Sequence, residues 1–221
     1  MAQIGTLLTG AGVTTVIAGQ SQCESFITIG TFATANPLQG LQVEIDGVPF
    51  ININNQPALL TAFMKWCNQI LGTTVGLSLR VATGRIYRST TYRFTNNGAT
   101  TPAIYASSNN SNGVPMLVGT KQINASSYED FQKFSAIMFA PAGIASAEFT
   151  FANGTKSTFA PAEIDAYFGM QFPSENGELG SISVIDNRDQ SIYNIRLNVS
   201  AATTVLISKL PDASFALLKS K

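Results

Sequence analysis

Glu148-Phe149-Thr150-Phe151-Ala152-Asn153-Gly154-Thr155-Lys156-Ser157-Thr158-Phe159 is the stretch whose reading decides the fold. Two runs rich in Phe and Thr flank Asn-Gly, the dipeptide best suited to a tight turn with positive φ. The segment predicts a β-hairpin, and most of the chain repeats its style. Ser21 to Thr34, Leu41 to Asp46, Val48 to Ile53, Val75 to Ala82 and Thr90 to Thr95 read as strands in the first half. Val114 to Ile123, Ser181 to Ile185, Ser191 to Val199 and Thr203 to Leu210 follow in the second. Asp46-Gly47 and Thr83-Gly84 supply further turns.

One long helix interrupts the β pattern. Asn55 is its candidate N-cap and Pro57 falls in its first turn, where a missing N–H is harmless. Leu59, Leu60, Phe63, Met64, Cys67, Ile70 and Leu71 recur at helical spacing, and Gly72 suits the C-terminal stop. Two shorter helices are expected. One runs from Tyr128 to Ile137, capped by Ser126 or Ser127 with Glu129 and Asp130 in its first turn. The other runs from Pro161 to Met170. Asp212 can cap a last helical turn through Leu218.

These elements predict a mainly-β fold, an antiparallel β-sandwich or jelly-roll-like barrel with a few short helices. Two small β-barrels in tandem are the alternative. Residues 1–20 read as an extended N-terminal arm, with an ordinary edge strand and a loose terminus as the equal alternative, and residues 21–221 as the β domain. The loop-like stretch 96–113 suggests a subdivision into 21–100 and 113–221. Both halves share a rhythm of strands, capped helix and hairpin, so an internal repeat is suspected, although no residue-by-residue alignment emerges.

Composition bounds the function. Charged residues make up 12% of the 221 residues, with 13 cations against 13 acids, about half the usual share of roughly 25%. Such a surface repels copies of itself weakly. The absence of histidine removes the commonest general base and metal ligand, which places an enzyme third among the function classes. No catalytic, cofactor-binding or metal-binding residue stands out, and no cofactor is expected. Glu175/Glu178 and Asp186/Asp189 are oxygen-rich loops without EF-hand spacing, best read as solvated turns. Cys23 and Cys67 do not form a disulfide framework and read as reduced thiols. The four N-x-S/T sequons, at Asn109, Asn124, Asn153 and Asn198, follow from a chain rich in Asn, Ser and Thr. The apolar N-terminal stretch carries no cationic side chain, which argues against a signal peptide or a membrane span.

Charge is segregated along the chain. Gly47 to Tyr128 contains no acid but holds Lys65, Arg80, Arg85, Arg88, Arg93 and Lys121. Glu129 to Asp186 holds eight acids against Lys133 and Lys156. The two regions can neutralise each other inside one fold, or the positive region of one copy can meet the negative region of the next. Arg85, Arg88 and Arg93 also interleave with Tyr87, Tyr92 and Phe94, an arrangement open to nucleic acid, though small for that purpose.

The His-free, low-charge, Thr/Ser/Asn/Ala-rich composition, the arm from Ile4 to Ile17 and the apolar helix together resemble small viral and phage coat proteins with jelly-roll subunits. That resemblance implies a self-assembling, non-enzymatic virion subunit, assembled in the host cytoplasm. Its partners would be itself and other virion proteins. Its sites would be interfaces: Ile4, Leu7, Leu8, Val13 and Val16 on the arm, and Arg80, Arg85, Arg88 and Arg93 on the arginine strands. The competing class is a non-catalytic binding module, cytoplasmic and specific for carbohydrate or a surface ligand, using Tyr87, Tyr92, Tyr105 or Trp66.

Overall fold

The computed structural model describes residues 2–18, 26–29, 38–45, 47–70, 79–82, 90–96, 101, 103–107, 117–167 and 182–209. The chain divides into two compact units, Met1–Val118 with Pro211–Lys221, and Gly119–Leu210.

Unit 1 holds β1 (Ala2–Thr6), β2 (Thr14–Ala18), β3 (Phe26–Ile29), β4 (Leu38–Ile45), β5 (Val48–Ile53), α1 (Pro57–Ile70), β6 (Leu79–Ala82), β7 (Thr90–Asn96) and β8 (Ala103–Ser107). They form two sheets, β1-β8-β3-β6 and β2-β7-β4-β5, with antiparallel pairings throughout. In the second sheet Thr15, Ile17, Leu41, Val43, Ile51, Ile53, Tyr92 and Phe94 are buried, while alternate residues face out. That is the period-2 pattern of a half-buried sheet.

Helix α1 starts at Pro57, and its first i→i−4 bond runs from the Leu60 N–H to the Gln56 carbonyl. The N-cap position is therefore Gln56. Asn55 takes the left-handed φ of +52° that turns the chain out of β5. The expected stripe is buried from Leu59 to Cys67, and it is broader than the periodicity indicates. Ala62 and Trp66 are also fully buried, with the Phe63 and Trp66 rings 6.2 Å apart. The helix packs on β6 and β4.

Unit 2 is entered along β9 (Leu117–Ile123). It continues with β10 (Ser127–Gln132), β11 (Ala136–Phe139), β12 (Ile144–Phe151), β13 (Lys156–Phe159), α2 (Pro161–Tyr167), β14 (Ser183–Asp186), β15 (Ile192–Val199) and β16 (Thr203–Lys209). Its sheets are β9-β16-β11-β14 and β10-β15-β12-β13. Phe131, Phe134, Phe139, Phe149, Ile164, Ile195 and Leu197 anchor a single apolar cluster. The Asn153-Gly154 hairpin forms as expected, with Gly154 at φ +83° and the Asn153 side chain accepting from the Thr155 N–H at 3.0 Å. In α2 the Glu163 carboxylate accepts the Ala160 N–H at 2.8 Å and so satisfies a free donor at the helix start.

Counting strands from the start of each unit, both follow the same scheme. The first sheet has the order first-eighth-third-sixth and the second has second-seventh-fourth-fifth, with a helix between the fifth and sixth strands. Each unit is thus an eight-stranded jelly roll. The mainly-β jelly-roll expectation holds. The shared rhythm of the halves is a repeat of topology.

Three expectations differ from the structure. The helix expected over Tyr128 to Ile137 is two strands, β10 and β11. Ser-Ser-Tyr-Glu-Asp satisfies the capping rules, but all six residues of β10 find cross-strand partners on β15. Lys133 at φ +51° then breaks the chain. Tertiary pairing overrides the local preference. Residues 1–20, set apart as an arm, hold β1 and β2, which pair with β8 and β7. The boundary between units falls at Val118/Gly119, past the loop-like stretch, because Ala103–Ser107 pairs with both β1 and β3. The expected C-terminal turn, the loop around Glu175 and Glu178, Cys23, Gly72, Tyr87, Arg85 and Arg88 lie outside the described residues.

Candidate assembly surface

The seven-residue β1–β2 connection, Leu7 to Val13, is held by Asn96 and Thr15. Asn96 ends β7 and is fully buried. Its amide donates to the Leu8 carbonyl. Its backbone N–H donates to Val13 O and its carbonyl accepts from Gly12, each at 2.9 Å. The Thr15 hydroxyl accepts from the Leu8 N–H at 2.8 Å. The connection is therefore a fixed structure, and it fixes what each residue presents. Leu7 is buried in the unit. Leu8, Val13 and Val16 point outward with 54%, 37% and 54% of their surface exposed. They are three of the six large hydrophobic side chains exposed among the described residues.

Val16 lies on β2, the end strand of its sheet, directly opposite Arg93 of β7. One candidate residue of the arm and one of the arginine strands, far apart in sequence, thus stand opposite each other. Arg93 reaches Glu44 of β4 at 3.5 Å, within ion-pair range and at the long limit of a hydrogen bond. Ile4 lies within β1 and Arg80 within β6, so neither β1 nor β6 joins Val16 and Arg93 in their sheet.

The corresponding face of unit 2 is more tightly paired. Arg196 of β15 donates through Nε and an η-nitrogen to the two Asp130 oxygens at 3.1 and 3.0 Å. Its guanidinium lies 4.5 Å above the exposed Tyr128 ring. Asn198 donates to Ser146 and to Glu148 at 2.9 and 3.0 Å. The Arg196 hydrogen bond holds the Asp130 carboxyl below the usual carboxylate range, and the Ser191 backbone N–H does the same for Asp189. Both groups titrate lower folded than unfolded. Their stabilisation is complete above about pH 4 and is lost as pH falls through the lowered values. Melting temperatures taken from pH 5 down to pH 2.5 should therefore fall, and Asp130→Asn should lessen the fall. An unchanged acid slope in that variant would contradict the assignment.

The residues of the binding-module reading are placed differently. Trp66 and Tyr92 are fully buried core residues, and Tyr105 is half-buried. Among the described residues the exposed tyrosines are Tyr128 and Tyr193. The Asp186–Asp189 loop is occupied by its own contacts, with Arg188 2.7 Å from Asp186 and the Ser191 N–H 3.0 Å from Asp189. Among the described residues no group of three or more His, Cys, Asp or Glu could hold a metal ion, and no helix is long and apolar enough to cross a membrane. Charge segregation follows the units. Unit 1 holds seven Lys/Arg against four Asp/Glu, net +3, and unit 2 six against nine, net −3.

No protein-family model and no curated protein matches the sequence. Solved structures do match the fold over nearly the whole chain. Its fold is similar to that of the major capsid protein P2 of bacteriophage PM2. That likeness has a TM-score of 0.58 at 15% identity and covers 92% of this chain and 93% of that one. A chain of Sulfolobus Turreted Icosahedral Virus matches with a TM-score of 0.53 at 11% identity, covering 93% and 89%. PBCV-1 VP54, as fitted into a reconstruction of the virophage Sputnik, matches with a TM-score of 0.51 at 9% identity, covering 94% and 92%.

Proposed function

We propose that this chain is a virion coat subunit, a structural and non-enzymatic protein that acts through repeated contacts with copies of itself. The observation that carries the reading is the likeness to the PM2 major capsid protein, which extends over both jelly rolls. Three features of the chain agree with it. Few charges oppose close approach of copies. The two units carry opposite net charge. Leu8 and Val13 on a fixed connection and Val16 on the adjoining strand β2 are exposed apolar side chains. In this reading Leu8, Val13, Val16 and Arg93 belong to a subunit contact, Leu7 anchors it from inside, and Ile4, Arg80, Arg85 and Arg88 remain contact candidates. The protein works in the virion, is assembled in the host cytoplasm, and has other virion proteins as further partners.

Size-exclusion chromatography with light scattering tests this. A mass well above the 23.5 kDa of one chain, growing with concentration, is the expected result. A single-chain mass at every concentration and salt would overturn it.

A further inference from the structure

The terminal strands of the sheets are guarded unequally. An end strand presents unpaired N–H and C=O groups, and natural sheets protect such edges with charge or proline. Here β5 carries Pro49, β6 carries Arg80, β9 carries Lys121, β10 carries Glu129 and Asp130, β13 carries Lys156 and β14 carries Asp186. β1 and β2 carry neither charge nor proline. Of these two, β2 also exposes Val16, and the connection that leads into it exposes Leu8 and Val13.

The repeat shows what β2 lacks. Both jelly rolls place an arginine on the seventh strand, paired across to the second and fourth strands. Arg196 stands opposite Asp130 and Glu148. Arg93 stands opposite Val16 and Gln42. With the two arginines aligned, Val16 occupies the position of Asp130. In unit 2 that aspartate both guards the edge and grips its arginine with two hydrogen bonds. In unit 1 the same place is an exposed valine, and Arg93 keeps one contact of 3.5 Å to Glu44. The Arg93 side chain is 39% exposed, and its guanidinium has donors to spare for a planar carboxylate.

We infer that the β2 edge, with Val16, Leu8, Val13 and Arg93, is an open contact that receives a carboxylate-bearing surface from the acidic unit 2 of a second copy. This rests on the coat-subunit reading and names the surface it would use. Charge complementarity selects the occupant. Unit 1 is net positive and unit 2 net negative by the same amount, so the two units of different copies attract where like units repel. The apolar side chains supply burial, the strand edge supplies main-chain hydrogen bonds, and Arg93 sets the register. A copy that carried an aspartate at position 16 would answer Arg93 from within its own sheet and close the edge, as unit 2 does.

The test uses the full chain and sedimentation velocity across protein concentration. Val48→Thr, a change at an exposed valine of β5 outside this surface, should assemble like the parent. Val16→Asp should melt normally yet need at least about tenfold more protein to assemble, since it removes both the open edge and the demand for an outside carboxylate. Arg93→Gln should show a comparable loss and a weaker dependence on salt. If Val16→Asp folds and assembles within about twofold of the parent, the inference is wrong. Should Val16→Asp fail to fold, Arg93→Gln decides alone, and an unchanged midpoint and salt slope would overturn it. A parent chain that never assembles would instead remove the coat-subunit reading itself.

Discussion

Asn187→Ala should destabilise unit 2 by about 3 kcal/mol or more, a drop in melting temperature upward of about 12 °C. Asn187 follows β14 and is fully buried. Its amide donates to the carbonyls of Phe134 and Ile192 at 3.2 and 2.9 Å, and its side-chain oxygen accepts from the Ile192 N–H at 2.9 Å. Its own backbone N–H donates to Ser135 O at 2.8 Å. One side chain thus satisfies three buried backbone groups from two separate stretches. Alanine would strand all three, and each stranded group costs about 1–3 kcal/mol when water cannot reach it. Asn187→Asp supplies an internal check. It can still accept from Ile192 but donates to neither carbonyl, so it should recover only part of the loss. The readout is thermal or urea unfolding followed by a probe in unit 2, since two units need not melt together. A loss below about 1 kcal/mol for Asn187→Ala would show that the loop is held by something else.

The second large effect is expected in the unit 2 core. Phe149 on β12 is fully buried. Its ring meets Phe159 of β13 edge-on at 5.2 Å and stacks with Phe151 at 6.2 Å. It also belongs to the cluster that gathers Phe131, Phe134, Ile164 and Ile195. Phe149→Ala removes the ring and leaves a hole that strands cannot easily close, so a loss of about 3–5 kcal/mol is expected. Phe149→Leu keeps most of the volume and should lose less than half as much. Equal losses from the two variants would mean that the site depends on ring contacts rather than on filled volume. The same hairpin makes the fold legible from its Asn-Gly turn, so this substitution strikes the element whose reading is clearest.

Legibility varied with the kind of signal. The hairpin at Asn153-Gly154, the hairpin at Asp46-Gly47 and the helix after Pro57 are visible because turn chemistry and periodicity are local. β10 and β11 were not, because a capping pattern and a few aromatics imitate a short helix until β15, more than fifty residues later, supplies the partner. The repeat was suspected from rhythm alone. Aligning it needs the cross-strand register, which sets Arg93 against Val16 and Arg196 against Asp130. The surface shows the same division. Leu8, Val13 and Val16 were readable as apolar contact candidates, but Leu7 beside them is buried, and a strand alternation broken by a loop does not announce which neighbour turns inward. Asn96 and Asn187 carried no signal, since a buried asparagine at a strand end looks like any polar turn residue. Tyr92, a candidate sugar platform, is core, and Trp66 is core as its apolar helix neighbours favour. An aromatic residue declares its area but not its side.

As the coat subunit proposed above, this double jelly roll repeats itself in a regular array. Electron microscopy of the concentrated full chain would show that array. Closed shells or flat lattices with one regular subunit spacing are expected. Dispersed single chains, or aggregates without any repeat at conditions where the protein remains folded, would contradict that proposal.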